Sequence, residues 1–161
     1  MRLFIIRHAD PDYSIDSLTP KGWREAELLS DRIAKLDVKA FYCSPLGRAQ
    51  DTASLTLKKM GREAVTLDWL KEFYYCRVKL PYTNGERVIT WDLLPSFFTK
   101  IDALYDKDEF MNVDFMKEGN YPELYKNITD GLDELLATHG YVRNGRYYVA
   151  AKPNRDTNVF F

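Results

Sequence analysis

Leu3-Phe4-Ile5-Ile6 opens the chain as an unbroken apolar run, the pattern of a short strand buried on both faces of a parallel sheet. It breaks abruptly into Arg7-His8-Ala9-Asp10-Pro11, and a polar loop follows from Asp12 to Leu18. Thr19-Pro20 then sets an N-cap residue before a proline at the first helical position. Trp23, Ala26, Leu29, Ile33 and Leu36 recur at spacings of three and four, which predicts an amphipathic helix. Ala40-Phe41-Tyr42-Cys43 predicts a second buried strand, and Ser44-Pro45 repeats the cap-and-proline start. Leu46, Ala49, Ala53, Leu57 and Met60 mark the inner face of a second helix, which Gly61 ends. Val65-Thr66-Leu67 predicts a third strand. Strands and helices alternating in this order predict an α/β fold with a mainly parallel sheet.

The pattern is less regular further on. Leu80 to Gly85 reads as a loop with Asn84-Gly85 as a tight turn. Helical spacing from Trp91 to Tyr105 is interrupted by Pro95, and Lys107 to Asn120 reads as a polar loop. Leu124, Ile128, Leu132 and Leu135 or Leu136 give another amphipathic helix, stopped at His139-Gly140. Arg146–Ala151 and Asn158–Phe161 are strand candidates. No repeat, low-complexity tract or linker divides residues 1–161, so they read as one domain. Ending on an apolar strand is unusual for a terminus, and the expectation is a domain incomplete at its carboxyl end.

Composition narrows the function classes. Apolar residues make up 45% and charged residues 29%, a balance that builds a core and argues against disorder. A net charge of −1 provides no global field for nucleic acid or an anionic membrane, so any anion site must come from a few local cations. No apolar run approaches the roughly 20 residues of a membrane span. Cys43 and Cys76 form neither a CxxC pair nor a ligand cluster, and read as free thiols in a reducing compartment. The run before Arg7 is too short for a secretory core. A cytoplasmic protein with no nucleic-acid or membrane partner is expected.

Ligands of open parallel sheets bind beyond the carboxyl ends of the strands. Arg7-His8 follows the first predicted strand, Ser44 to Arg48 the second, and Glu72 the third, so the topology would gather them at one edge. His8 alone could be a histidine satisfied by hydrogen bonds. Beside the permanent charge of Arg7, its imidazole should stay neutral, which is the nucleophilic form. Arg48 alone could be a solvated helix arginine. In the first turn of its helix it opposes the macrodipole, and an anionic ligand would reverse that penalty. Arginine also meets phosphate oxygens with paired hydrogen bonds. Glu72 could be a surface carboxylate. Between Trp69-Leu70 and Phe73-Tyr74-Tyr75, it could instead have a raised pKa and act as a general acid.

These segments resemble the histidine phosphatase superfamily, the phosphoglycerate-mutase-like proteins. Arg7-His8-Ala9 is similar to its Arg-His-Gly signature, and Leu18-Thr19-Pro20-Lys21-Gly22 to its Leu-Thr-x-x-Gly helix start. Ser44 to Ala53 resembles its Ser-x-x-x-Arg-Ala-x-x-Thr-Ala segment, and Leu70-Lys71-Glu72 fits the site of its acid. The resemblance implies a three-layer α/β/α fold and a phosphomonoesterase acting on a small phosphorylated metabolite. By position, His8 would become a phosphohistidine, Arg7 and Arg48 would hold the phosphoryl oxygens, and Glu72 would protonate the leaving alcohol. No metal or cofactor is implied, because arginines and histidines supply the positive charge. Ala9 in place of glycine requires ordinary backbone angles there. The family's second histidine, in a late His-Gly pair, has no convincing match. His139-Gly140 ends a helix rather than a strand, so a missing pocket wall and weak or absent activity are expected of this chain alone. A mutase returning the phosphoryl group to substrate would use the same His8 chemistry. A non-catalytic phosphate-binding domain is the alternative if the natural chain ends at Phe161. No GxGxxG or Walker sequence supports a nucleotide-binding module.

Overall fold

The computed structural model describes residues 1–72, 76–90 and 92–161. They gather into two compact units, one of residues 1–71 with 135–161 and one of residues 72–134. Among the described residues, no helix is long and apolar enough to cross a membrane.

The first unit carries strand β1 (Arg2–Ile5), the short bridge strands β2 (Pro11–Asp12) and β3 (Ser17–Leu18), and helix α1 (Pro20–Ile33). Strand β4 (Ala40–Cys43), helix α2 (Gly47–Met60) and strand β5 (Val65–Thr66) follow. The second unit holds a hairpin, β6 (Arg77–Lys79) and β7 (Arg87–Ile89), then the short helices α3 (Pro95–Phe98) and α4 (Asp114–Glu118). Helix α5 (Tyr121–Thr138) returns the chain to the first unit, which ends with the hairpin β8 (Tyr141–Asn144) and β9 (Tyr147–Ala150) and strand β10 (Thr157–Phe160).

The central sheet runs in the order β1-β10-β4-β5, with every pairing parallel. The last strand therefore inserts between the first and the fourth, and all four of its residues are buried. Phe41, Cys43, Val159 and Phe161 form one face, packed against Ile33 of α1 and against Ala49 and Ala53 of α2. At the start of α1, the Thr19 hydroxyl caps the Gly22 N–H, as its sequence predicts.

Three expectations need correction. β1 is an edge strand: Phe4 packs on the core, but Leu3 is 41% exposed and Ile5 83%. The apolar run is thus buried on one face only: Phe4 and Ile6 pack on the core, and the face that carries Leu3 and Ile5 is left exposed. Trp23, expected on the inner face of α1, is exposed, and Gly22, Ala26, Ser30 and Ile33 are the buried positions. α2 starts at Gly47 rather than behind a Ser44 cap, and its N-cap, Leu46, provides no side-chain bond.

Lys107 to Asn120, read as a polar loop, contains the helix α4 and belongs to the second compact unit. Asn84 and Gly85 both take positive φ (51° and 86°), the requirement of a tight hairpin turn. Tyr82 packs on Phe97 and Phe97 on Phe115, with ring centroids 5.2 and 5.8 Å apart. Trp91 and Phe73 to Tyr75 lie outside the described residues.

Candidate active site

β1 ends at the loop that carries Arg7-His8-Ala9. Ile6 still donates to Phe160 O (2.8 Å), so the backbone leaves the sheet only after Ile6. His8 Nδ1 lies 2.8 Å from Ala9 O. A carbonyl can only accept, so Nδ1 carries the proton, and in the neutral ring the lone pair is left on Nε2. Ala9 N in turn donates to Thr52 Oγ1 (3.0 Å), and that hydroxyl donates to Arg48 O (2.7 Å). Thr52 is 1% exposed, so a buried side chain of α2 fixes the histidine loop. Ala9 keeps a negative φ, as its replacement of glycine requires.

Arg7, His8, Ala9, Asp10, Pro11 and Glu25 line a cavity of about 240 Å³. Its two carboxylates are occupied. Asp10 accepts from Thr19 Oγ1 (2.6 Å), and Glu25 accepts from Asp10 N (2.9 Å). Lys21 lies 3.6 and 3.5 Å from the two. The Thr19 hydroxyl above all, helped by Lys21, outweighs desolvation and holds Asp10 below the usual carboxylate range. Among the described residues, Arg7 makes no ion pair, and its side chain is exposed. The cavity thus presents an imidazole and an uncommitted guanidinium beside two hydrogen-bonded carboxylates that share Lys21.

Arg48 is the second residue of α2 and is 7% exposed. It does not line that cavity. Its Nη1 donates to Asp16 Oδ1 (2.7 Å), and Gly47 N donates to Asp16 Oδ2 (2.7 Å). The anion expected to offset the macrodipole at this helix start is therefore an internal carboxylate. Burial pushes the Asp16 carboxyl up, but the Gly47 N–H and the Arg48 guanidinium and N–H together hold it below its ordinary value. Asp16 has φ 47°, and a Cβ on Gly47 would meet its carbonyl oxygen at 2.1 Å, so the loop lies directly on the helix. The Tyr13 ring bridges the two groups. His8 meets it edge-on at 6.4 Å, and Arg48 Cζ lies 5.4 Å from its centroid.

The structure thus brings Arg7 and His8 into one cavity and ties Arg48 to the same loop through Tyr13 and Asp16. Glu72 is exposed and is the first residue of the second unit. His139 closes α5 and contacts Tyr42 of β4, Nε2 to the phenolic oxygen, at 2.6 Å. Sequence reasoning missed the roles of Tyr13, Asp16 and Thr52. The usable signal was Gly47, a glycine entering a helix without a capping side chain before it.

Residues 3–88 match the family model of the histidine phosphatase superfamily, branch 1. A 2,3-bisphosphoglycerate-dependent phosphoglycerate mutase of Thermoplasma acidophilum is 33% identical over 72 residues, 38% of this chain and 36% of that protein. A putative phosphoserine phosphatase 2 of Hydrogenobacter thermophilus is 34% identical over 83 residues, 46% of this chain and 41% of that protein. The chain therefore spans about two fifths of the length of these curated relatives. Among solved structures, the Entamoeba histolytica phosphoserine phosphatase in complex with 3-phosphoglyceric acid superposes with a TM-score of 0.56 at 21% identity. That match covers 98% of this chain and 72% of the other, a likeness of fold.

Proposed function

Because this chain belongs to the histidine phosphatase superfamily, we propose that it forms the nucleophile-bearing part of a cytoplasmic phosphomonoesterase acting on a small phosphorylated metabolite. The observation that carries this reading is the His8 Nδ1 contact with Ala9 O, which directs the ring's lone pair to Nε2. Nε2 attacks phosphorus as the bond to the leaving oxygen breaks, giving a phosphohistidine. Water then attacks phosphorus, the P–N bond breaks, and the lone pair returns to Nε2. Arg7 and Arg48 are assigned the phosphoryl charge, which spreads over the equatorial oxygens in the transition state. Glu72 is assigned the proton, given to the leaving oxygen and then taken from water, on the strength of the Leu70-Lys71-Glu72 segment alone. The half-buried His8 and exposed Arg7 favour water as the final acceptor over a second substrate hydroxyl. The small-metabolite class is supported by the phosphoserine phosphatase and mutase names of the relatives. Two buried, free cysteines support a reducing compartment.

The test is labelling with a ³²P-phosphomonoester followed by a denaturing alkaline quench, on wild type and His8→Ala. Acid-labile, base-stable label attached through Nε2 is expected in wild type, and none in His8→Ala. Label surviving in the variant, or attached through Nδ1, overturns the assignment.

A further inference from the structure

The amino edge of the sheet carries a second cavity, away from His8. Arg2 opens β1, Thr157 opens β10 and Lys39 precedes β4, and all three line a space of about 510 Å³. That is within the range of small-molecule sites. Four residues of strand, roughly 13 Å, separate this edge from the other, so both cavities can be filled at once.

The lining is charged in an unusual way. Arg2, Lys39, Arg62 and Arg155 face Asp37 and Asp156, an excess of two positive charges in a chain whose net charge is −1. Arg62 is anchored, with Nη1 on Val38 O (3.1 Å), Nη2 on Lys39 O (2.9 Å) and Cζ 5.6 Å from the Phe41 ring centroid. Arg2, Lys39 and Arg155 make no ion pair among the described residues, although two carboxylates line the same cavity. Thr157 lies in the cavity floor, 1% exposed, and its hydroxyl has no hydrogen-bond partner among the described residues.

We infer that this cavity is a second anion site, taking a polyol that carries two phosphoryl groups. The three uncommitted cations surround more space than one phosphate fills. Asp37 and Asp156 accept from hydroxyls between the phosphates, which also accounts for two carboxylates left unpaired beside cations.

The test uses fructose 1,6-bisphosphate as the probe and inorganic phosphate as control, followed by amide NMR of the whole chain. Saturable shifts at residues 37–39 and 155–157 are expected, with a dissociation constant below about 1 mM near 0.15 M salt. Lys39→Glu with Arg155→Glu replaces two exposed side chains outside the His8 cavity. It should weaken those shifts at least about tenfold while leaving the response of residues 7–10 unchanged. Inorganic phosphate should act mainly on residues 7–10. Shifts confined to residues 7–10, shifts that do not saturate by about 10 mM, or equal shifts in the double variant overturn the inference.

Discussion

Replacing Asp16 by alanine should cost about 3 kcal/mol, because one loop carboxylate caps α2 and holds Arg48. The substitution removes the acceptor of two 2.7 Å bonds, from Gly47 N and from Arg48 Nη1. Loss of an N-terminal cap costs about 1–2 kcal/mol. The Asp16 side chain is 45% exposed, so solvent screens the ion pair and it adds no more than about 1 kcal/mol. Alanine must also hold a φ of 47°, which aspartate tolerates better, so the backbone adds up to about 1 kcal/mol. Asp16→Gly removes the Cβ crowding that wild type also bears but gives the unfolded chain more freedom; these two effects oppose each other, and the variant should lose about 2 kcal/mol. Asp16→Asn tolerates the left-handed backbone and keeps one acceptor, and should lose about 1 kcal/mol. Urea unfolding followed by circular dichroism reads all three. The folded-state pKa of Asp16 is depressed, so its stabilisation is full above the unfolded value of about 3.9 and is lost as pH falls through the lower folded value. The gap between wild type and Asp16→Gly should therefore close in acid. A loss below about 0.5 kcal/mol for Asp16→Ala near pH 7, or a gap that stays constant into acid, would refute the reasoning.

Thr52→Val preserves shape but leaves Ala9 N without its acceptor; it should cost about 1–3 kcal/mol in urea unfolding and lower kcat more than it raises KM. Gly47→Ala places a Cβ 2.1 Å from a backbone oxygen of the loop and should lose more than about 2 kcal/mol, read by the same unfolding curves. The Cys43 thiol is fully buried and pushed up to about 12 by desolvation, so a disulfide reagent should modify it only on unfolding; prompt labelling of the folded protein would contradict its placement.

The layered architecture was legible because each buried element announced itself locally. Thr19-Pro20 predicted the capped start of α1, Gly61 the left-handed stop of α2, and Asn158–Phe161 a strand with the apolar character of β10. Periodicity does not contain strand order. Nothing local marks β10 as the strand beside both β1 and β4, and nothing in an unbroken apolar run tells which face is left uncovered at Leu3 and Ile5. The site was legible to the same extent. His8 and Arg7 follow from the end of β1, where a strand leaves its side chains at the sheet edge. The Ser44-Pro45 cap failed for a physical reason. A carboxylate 31 positions earlier in the chain had taken the first N–H of the helix, and helix-start rules consider only neighbours in sequence.

That carboxylate also changes how an anion can be recognised here. A helix start usually offers a phosphate its free N–H groups and its dipole together. At α2, Asp16 already takes the Gly47 N–H, and burial favours keeping the bond satisfied. A phosphoryl group drawn to this edge must then rely on guanidinium charge, from Arg7 beside His8 and from Arg48, which it would share with Asp16. The same bonds give the loop its rigidity. Thr52 ties Ala9 to α2 and Asp16 ties the loop to the helix start, so the His8 loop and Arg48 are positioned from a single element. Pre-set geometry of this kind lowers the reorganisation needed as charge develops in the transition state.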